Sequence, residues 1–147
     1  MRGDDEIGLE IVKRWMETHG DDYPEGQIEA AILESPGINL LGEIAGLDAA
    51  VLVDAVQSGA PAGTVIQFGE EDLEVFGDGS GSVHGWGAAE TLSLGRQLVP
   101  EDLPNEIILI GIEASVFELG EGLSPAVRNA IPEALKVVNQ VLKMMVR

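Results

Sequence analysis

The sequence predicts an α/β domain: a three-layer α/β/α sandwich around a mostly parallel twisted sheet. Three observations predict it. Short apolar runs alternate along the chain with segments of helical periodicity, the order that builds a sheet covered by helices. Two of those runs, residues 49–53 and 107–112, are apolar at consecutive positions, as strands buried on both faces are. The links between elements are short, and the 147 residues show no internal repeat and no second domain. Residues 1–147 are therefore read as a single domain.

Each element has its own justification. Ile7, Ile11, Val12, Trp15 and Met16 recur at helical spacing, with acidic residues ahead and His19-Gly20 behind. That is a helix with acids at its positive end, a cation at its negative end and a glycine stop. No strand precedes it, which is unusual for such a domain. Residues 21–27 form a polar loop, and residues 28–33 read as a short strand ending in the turn residues Glu34-Ser35-Pro36-Gly37. Residues 38–44 read as a short helix and 49–53 as a strand ending at Asp54. A turn at Gly59-Ala60-Pro61-Ala62-Gly63 leads to a strand over 64–68. Residues 70–81 are acidic and glycine-rich, an exposed loop; 87–98 form a helix, and 107–112 are the strongest strand of the chain. Ser124-Pro125 opens the last helix, Ser as N-cap and Pro at the first helical position. Val127, Ile131, Leu135, Val138, Leu142 and Met145 give that helix a core face, and Pro132 inside it is expected to kink or divide it.

Composition excludes several functions. With 8 Lys+Arg against 26 Asp+Glu the net charge is −18, so a basic face for nucleic acid is not expected. The charge suits cations or basic partners and favours solubility. No cysteine means no thiol nucleophile, disulfide, Cys-ligated zinc or Cys-ligated iron–sulfur cluster. No apolar stretch approaches the ~20 residues of a membrane span, and the acidic start is unlike a signal peptide. The expectation is a cytoplasmic monomer that binds no membrane.

Three residues could carry chemistry. Asp54 closes an apolar strand, and in open α/β sheets ligands sit outside the carboxyl ends of strands. A carboxylate there can hold a metal or act as a base; it can equally cap the turn that follows. Asp4 and Asp5 stand where a helix start is compensated by acids, so their functional reading needs a cation nearby. His84, in Ser82-Val83-His84-Gly85, lies between a glycine-rich loop and a helix, where backbone and ligand can approach closely or a histidine can simply face solvent. The Gly77, Gly79, Gly81 run lacks the dinucleotide spacing and the phosphate-loop lysine. Asp5, Asp54 and His84 together would suit a divalent transition metal with open positions. Spacing permits their convergence and does not establish it.

The motifs resemble those of the maturation endopeptidases of nickel–iron hydrogenases, over nearly the whole chain. Arg2-Gly3-Asp4-Asp5-Glu6-Ile7-Gly8 resembles the motif before that family's first helix, and Val53-Asp54-Ala55-Val56 with Gly59-Ala60-Pro61-Ala62-Gly63-Thr64 its second. Ser82-Val83-His84-Gly85 resembles its histidine motif. Gly111-Ile112-Glu113 and Gly120-Glu121-Gly122-Leu123-Ser124-Pro125 resemble its C-terminal signature. The resemblance implies an endopeptidase that removes the C-terminal extension of the hydrogenase large-subunit precursor after nickel insertion. Its implied metal-engaging and catalytic residues are Asp5, Asp54 and His84. The cofactor it implies is the nickel already held in the precursor, engaged transiently.

Two departures stand out. The family's first apolar strand, ending in Gly-Asn, is absent, and Met1 falls where the first motif begins; the expectation is a natural chain that starts upstream. Where many members carry Asp-Gly-Gly, this chain has Glu34-Ser35-Pro36-Gly37, so Glu34, Ser35 and Gly37 are expected to touch the substrate. Alternatives are a non-catalytic chaperone that binds nickel or the precursor, and an unrelated metal-dependent hydrolase.

Overall fold

The computed structural model describes residues 6–31, 37–56, 58–72, 88–114 and 123–146. The elements in chain order are α1 (Ile7–His19), α2 (Gly37–Ile44), β1 (Ala49–Val56), β2 (Val65–Gly69), α3 (Ala88–Leu98), β3 (Glu106–Glu113) and α4 (Pro125–Met145). The strands form one sheet in the order β1-β3-β2. β1 joins β3 in parallel from Ala49↔Glu106 to Val56↔Glu113. β2 joins β3 antiparallel from Val65↔Ile112 to Gly69↔Ile108. The sheet is thus mixed, with its longest pairing parallel.

Side-chain alternation along the strands generates the layers. Val51, Val53, Ala55, Ile108, Ile110 and Ile112 face one side, where Ile7, Ile11 and Trp15 of α1 and Val127, Ile131 and Val138 of α4 pack on them. Ala50, Leu52, Ile107, Leu109, Ile66 and Phe68 face the other, against Leu40 and Ile44 of α2 and Leu92 of α3. The α/β/α sandwich expected from the sequence is therefore present. Ile7, Ile11, Ile110, Ile112 and Val127 are fully buried, and each such side chain contributes about 1.5–3 kcal/mol relative to exposure. The indole N–H of Trp15 donates to Asn139 Oδ1 at 3.2 Å, tying α1 to α4.

Two local expectations differ from the structure. Residues 28–31 are not a strand, and 32–33 lie outside the described residues. A strand is stable only beside a partner, and among the described residues no strand pairs with this run. α4 runs unbroken for 21 residues through Pro132. Pro132 is exposed, so the Arg128 carbonyl that its missing N–H would have met faces water and the helix continues. The start of α4 is as expected: Ser124 Oγ accepts from the Val127 N–H at 3.4 Å, and Pro125 occupies the first turn.

Among the described residues β1 is an edge strand. The Ala114 N–H donates to the Val56 carbonyl at 2.9 Å, so Val56 turns its peptide towards β3. Successive residues of a strand turn theirs to opposite sides; the N–H and carbonyl groups of Val51, Val53 and Ala55 therefore point away from β3, while their side chains stay in the core. The outward N–H of Ala55 donates to Asp54 Oδ1 at 2.8 Å. At the outward carbonyl of Val53, α1 crosses so closely that a Cβ on Gly8 would sit 2.6 Å from the oxygen.

Candidate functional site

The carboxyl ends of the parallel strands β1 and β3 define the end of the sheet where Asp54 sits. Asp54 is half-buried, aligned with Gly111 of β3. Its carboxylate accepts from the Ala55 N–H; β1 runs on past Asp54 to Val56, so this bond lies within the strand and is not the cap of the following turn that the sequence offered as an alternative. Gly8, in the first turn of α1, packs on the Val53 carbonyl and lies 3.6 Å from the Asp54 Cα, measured from its would-be Cβ. The chain thus enters α1 against the same strand end that carries Asp54. Asp5 is separated from Gly8 by two residues and lies outside the described residues, as do His84, Glu34 and Ser35. Gly37 opens α2. Among the described residues no three His, Asp or Glu side chains are grouped to hold a metal ion.

One residue at this end stood out in the sequence only as part of the C-terminal signature and was given no role. Glu113 ends β3 opposite Val56, and its side chain is buried, only 3% exposed. Paired positions of a parallel ladder point to the same face, so Glu113 and Asp54 share the face covered by α2 and α3. Two residues of strand rise and one strand spacing separate their Cα atoms by roughly 8 Å. The Glu113 carboxylate accepts the Ser58 N–H at 2.9 and 3.1 Å and the Ser58 hydroxyl at 2.6 Å. Its backbone holds the other end of the same loop: the Gly63 N–H donates to the Glu113 carbonyl, and the Glu113 N–H to the Thr64 carbonyl, both at 2.8 Å. The signal was legible, since an acid closing an apolar strand is what singled out Asp54.

Other polar features lie elsewhere. A cleft of about 390 Å³ at the opposite end of the sheet is lined by Gln67, Glu70, Asp72, Asn105 and Glu106, among others. Its Glu70 is engaged by the guanidinium of Arg96 at 2.7 and 2.8 Å. His19, at the end of α1, meets Asp22 through Nδ1 at 2.9 Å, as befits the helix-terminal role expected of it.

The profile of the family described as HycI, hydrogenase maturation protease, matches residues 35–141. The chain belongs to the hydrogenase maturation protease family. It is 30% identical over 144 residues to the hydrogenase 2 maturation protease of Escherichia coli, covering 95% of this chain and 83% of that one. It is also 30% identical over 108 residues to the hydrogenase expression/formation protein HupD of Thiocapsa roseopersicina. That match spans 72% of this chain but only about half, 48%, of the relative. In structure it resembles the hydrogenase maturating endopeptidase HybD of E. coli with a TM-score of 0.81 at 27% identity, covering 98% of this chain and 86% of the other. The HybD protease of Thermococcus kodakarensis shares the fold, with a TM-score of 0.75 at 24% identity over 96% of this chain and 91% of that one. These likenesses agree with the layered α/β architecture and with the family named from the motifs. Among the described residues no helix is long and apolar enough to cross a membrane.

Proposed function

We propose that this protein is an endopeptidase that removes the C-terminal extension of a nickel–iron hydrogenase large-subunit precursor, and that it recognises the nickel already inserted there. The observation that carries the reading is Asp54: in a chain of this family, a half-buried carboxylate stands near the carboxyl end of a parallel strand, two residues before its last. Asp5 and His84 complete the set that engages the metal. Carboxylate and imidazole donors suit a divalent metal such as nickel, and three protein donors leave positions for the precursor's own ligands and for water. The metal belongs to the substrate, so the protease has no need of a resident ion. Such a metal polarises a nearby carbonyl or activates water; the protein's part is to dock on it and hold the adjacent peptide bond. Glu34, Ser35 and Gly37 contact the tail. The protein acts as a cytoplasmic monomer, where the precursor is assembled.

The test is mass spectrometry of a nickel-loaded precursor incubated with the wild type, Asp54→Ala and His84→Ala, with circular dichroism as the check on folding. The expected result is a shortened tail with the wild type and an intact one with folded variants. Cleavage by either variant removes that residue from the mechanism. A wild-type chain that forms a stable complex with an uncut precursor would be a chaperone, and the protease reading would fall.

A further inference from the structure

We infer that Glu113 is an electrostatic positioning residue of the proposed site: its buried carboxylate draws the metal-bearing end of the substrate towards Asp54. The inference rests on the reading just given and adds a residue to it. Glu113 is only 3% exposed, yet its hydrogen-bond donors are the backbone N–H and hydroxyl of Ser58, both neutral. Among the described residues no Lys, Arg or His pairs with it. Burying a carboxylate without a cation is costly. A glutamine of the same shape would hold Ser58 through its amide oxygen without that cost, so loop anchoring alone does not account for the charge. What a buried carboxylate favours, when its partners among the described residues are all neutral, is a cation close by. Its neighbour on the same face, one strand away, is Asp54, at the strand end where the proposed substrate metal docks. Their Cα atoms lie roughly 8 Å apart, and between partly buried groups a charge is screened much less than in water. The loop grip matters as well, because Glu113 holds both Ser58 and the Gly63-Thr64 end of the segment that follows β1.

The test separates charge from anchoring with Glu113→Gln. Three readouts are compared with the wild type: hydrogen exchange of residues 58–64, nickel-ion affinity of the protein alone by calorimetry, and the KM and kcat for nickel-loaded precursor. The expected result is loop exchange within threefold of wild type, nickel affinity weakened about tenfold, and KM raised about tenfold with kcat within threefold. Glu113→Ala should in addition speed loop exchange by tenfold or more. A merely structural Glu113 would leave nickel affinity and KM unchanged in Glu113→Gln, and that result overturns the inference. A wild type that binds nickel without cutting the precursor sinks the protease reading, and calorimetry on Glu113→Gln then decides the present one. A wild type that neither binds nickel nor cleaves overturns both.

Discussion

Replacing Gly8 by alanine tests the contact that brings the start of α1 to Asp54. A Cβ at this position would meet the Val53 carbonyl oxygen at 2.6 Å and its carbon at 3.3 Å. The first distance is 0.8 Å short of the 3.4 Å at which ordinary contact begins. Both atoms are backbone of a strand paired to β3, so no side chain can swing away; α1 must lift from the sheet. Its register there is held by Ile7 and Ile11, both fully buried. Overpacking of this kind costs about 1–3 kcal/mol, and the gain in helix propensity returns at most about 1 kcal/mol. The expected net loss is about 1–2 kcal/mol, a fall in Tm of roughly 3–6 °C for a chain of this size. Gly42→Ala is the control, since a Cβ there meets nothing within 4 Å. It should stabilise by about 0.5–1 kcal/mol. Urea denaturation followed by circular dichroism reads both. A Gly8→Ala protein as stable as the wild type would refute the close approach, and with it the argument that the chain enters α1 beside Asp54.

Further outcomes are expected from other parts of the molecule. Gly63→Ala forces alanine into a φ of +89° and sets its Cβ 2.6 Å from the Ala126 carbonyl oxygen; a loss of about 2–4 kcal/mol is expected by denaturation. Arg96→Ala removes a forked pair to Glu70 and a 2.6 Å bond to the Pro104 carbonyl. Both ionic side chains are partly exposed, which limits the loss to about 1–2 kcal/mol in the same assay. The Tyr23 phenol is held protonated above its ordinary 10.0, first by burial and then by the charge of Asp22. The folded chain therefore keeps that proton longer than the unfolded one, so stability is retained below pH 10 and declines as pH climbs towards the folded value. Tyr23 is the sequence's single tyrosine, and its phenolate absorbance in native and urea-unfolded protein checks the sign directly. Asp54→Asn keeps an oxygen for the Ala55 N–H and removes the charge, so precursor cleavage should be lost at near wild-type stability, whereas Asp54→Ala should also cost about 1 kcal/mol.

The layers were legible because apolar runs are long where strands are buried on both faces. Residues 49–53 and 107–112 are the centres of β1 and β3, and their alternating sides build the two cores. The last helix was legible down to its cap, since Ser124-Pro125 carries a local signal that needs no tertiary context. Within the run at 28–33 the described residues 28–31 are not a strand, for the opposite reason: apolar residues give a strand only when a neighbour supplies the ladder, and that neighbour is not written in the run itself. Pro132 was expected to kink or divide α4, yet the helix is continuous, because the cost of a proline depends on whether the carbonyl it strands meets water. At the candidate site Asp54 was found by its position at the end of an apolar strand. Glu113 obeys the same rule and was passed over because the burial that makes an acid unusual arises only once loop 58–64 folds back over the sheet. Asp5 and His84 were singled out by their setting, before a helix and beside a glycine-rich loop, and again by the motifs; Glu34 and Ser35 came from the loop that departs from the family pattern, and all four lie outside the described residues.

The hydrogen bond and the proposed metal contact of Asp54 are not rivals. An edge strand needs its outward N–H groups covered, and Asp54 does this for Ala55 with one carboxylate oxygen. A donor held by a backbone hydrogen bond has lost much of its rotamer freedom, and a fixed carboxylate is a better metal partner than a free one because the ordering cost is met by the fold. The same economy holds at Glu113, where the hydrogen bonds that close the loop also fix a negative charge in place. The bonds to Ala55 and Ser58 taken alone would be served by asparagine and glutamine at these positions. What the amides cannot supply is attraction for a cation, so under the proposed function the property that matters at this end of the sheet is charge held in a fixed position. The Asn and Gln variants isolate that property from the fold.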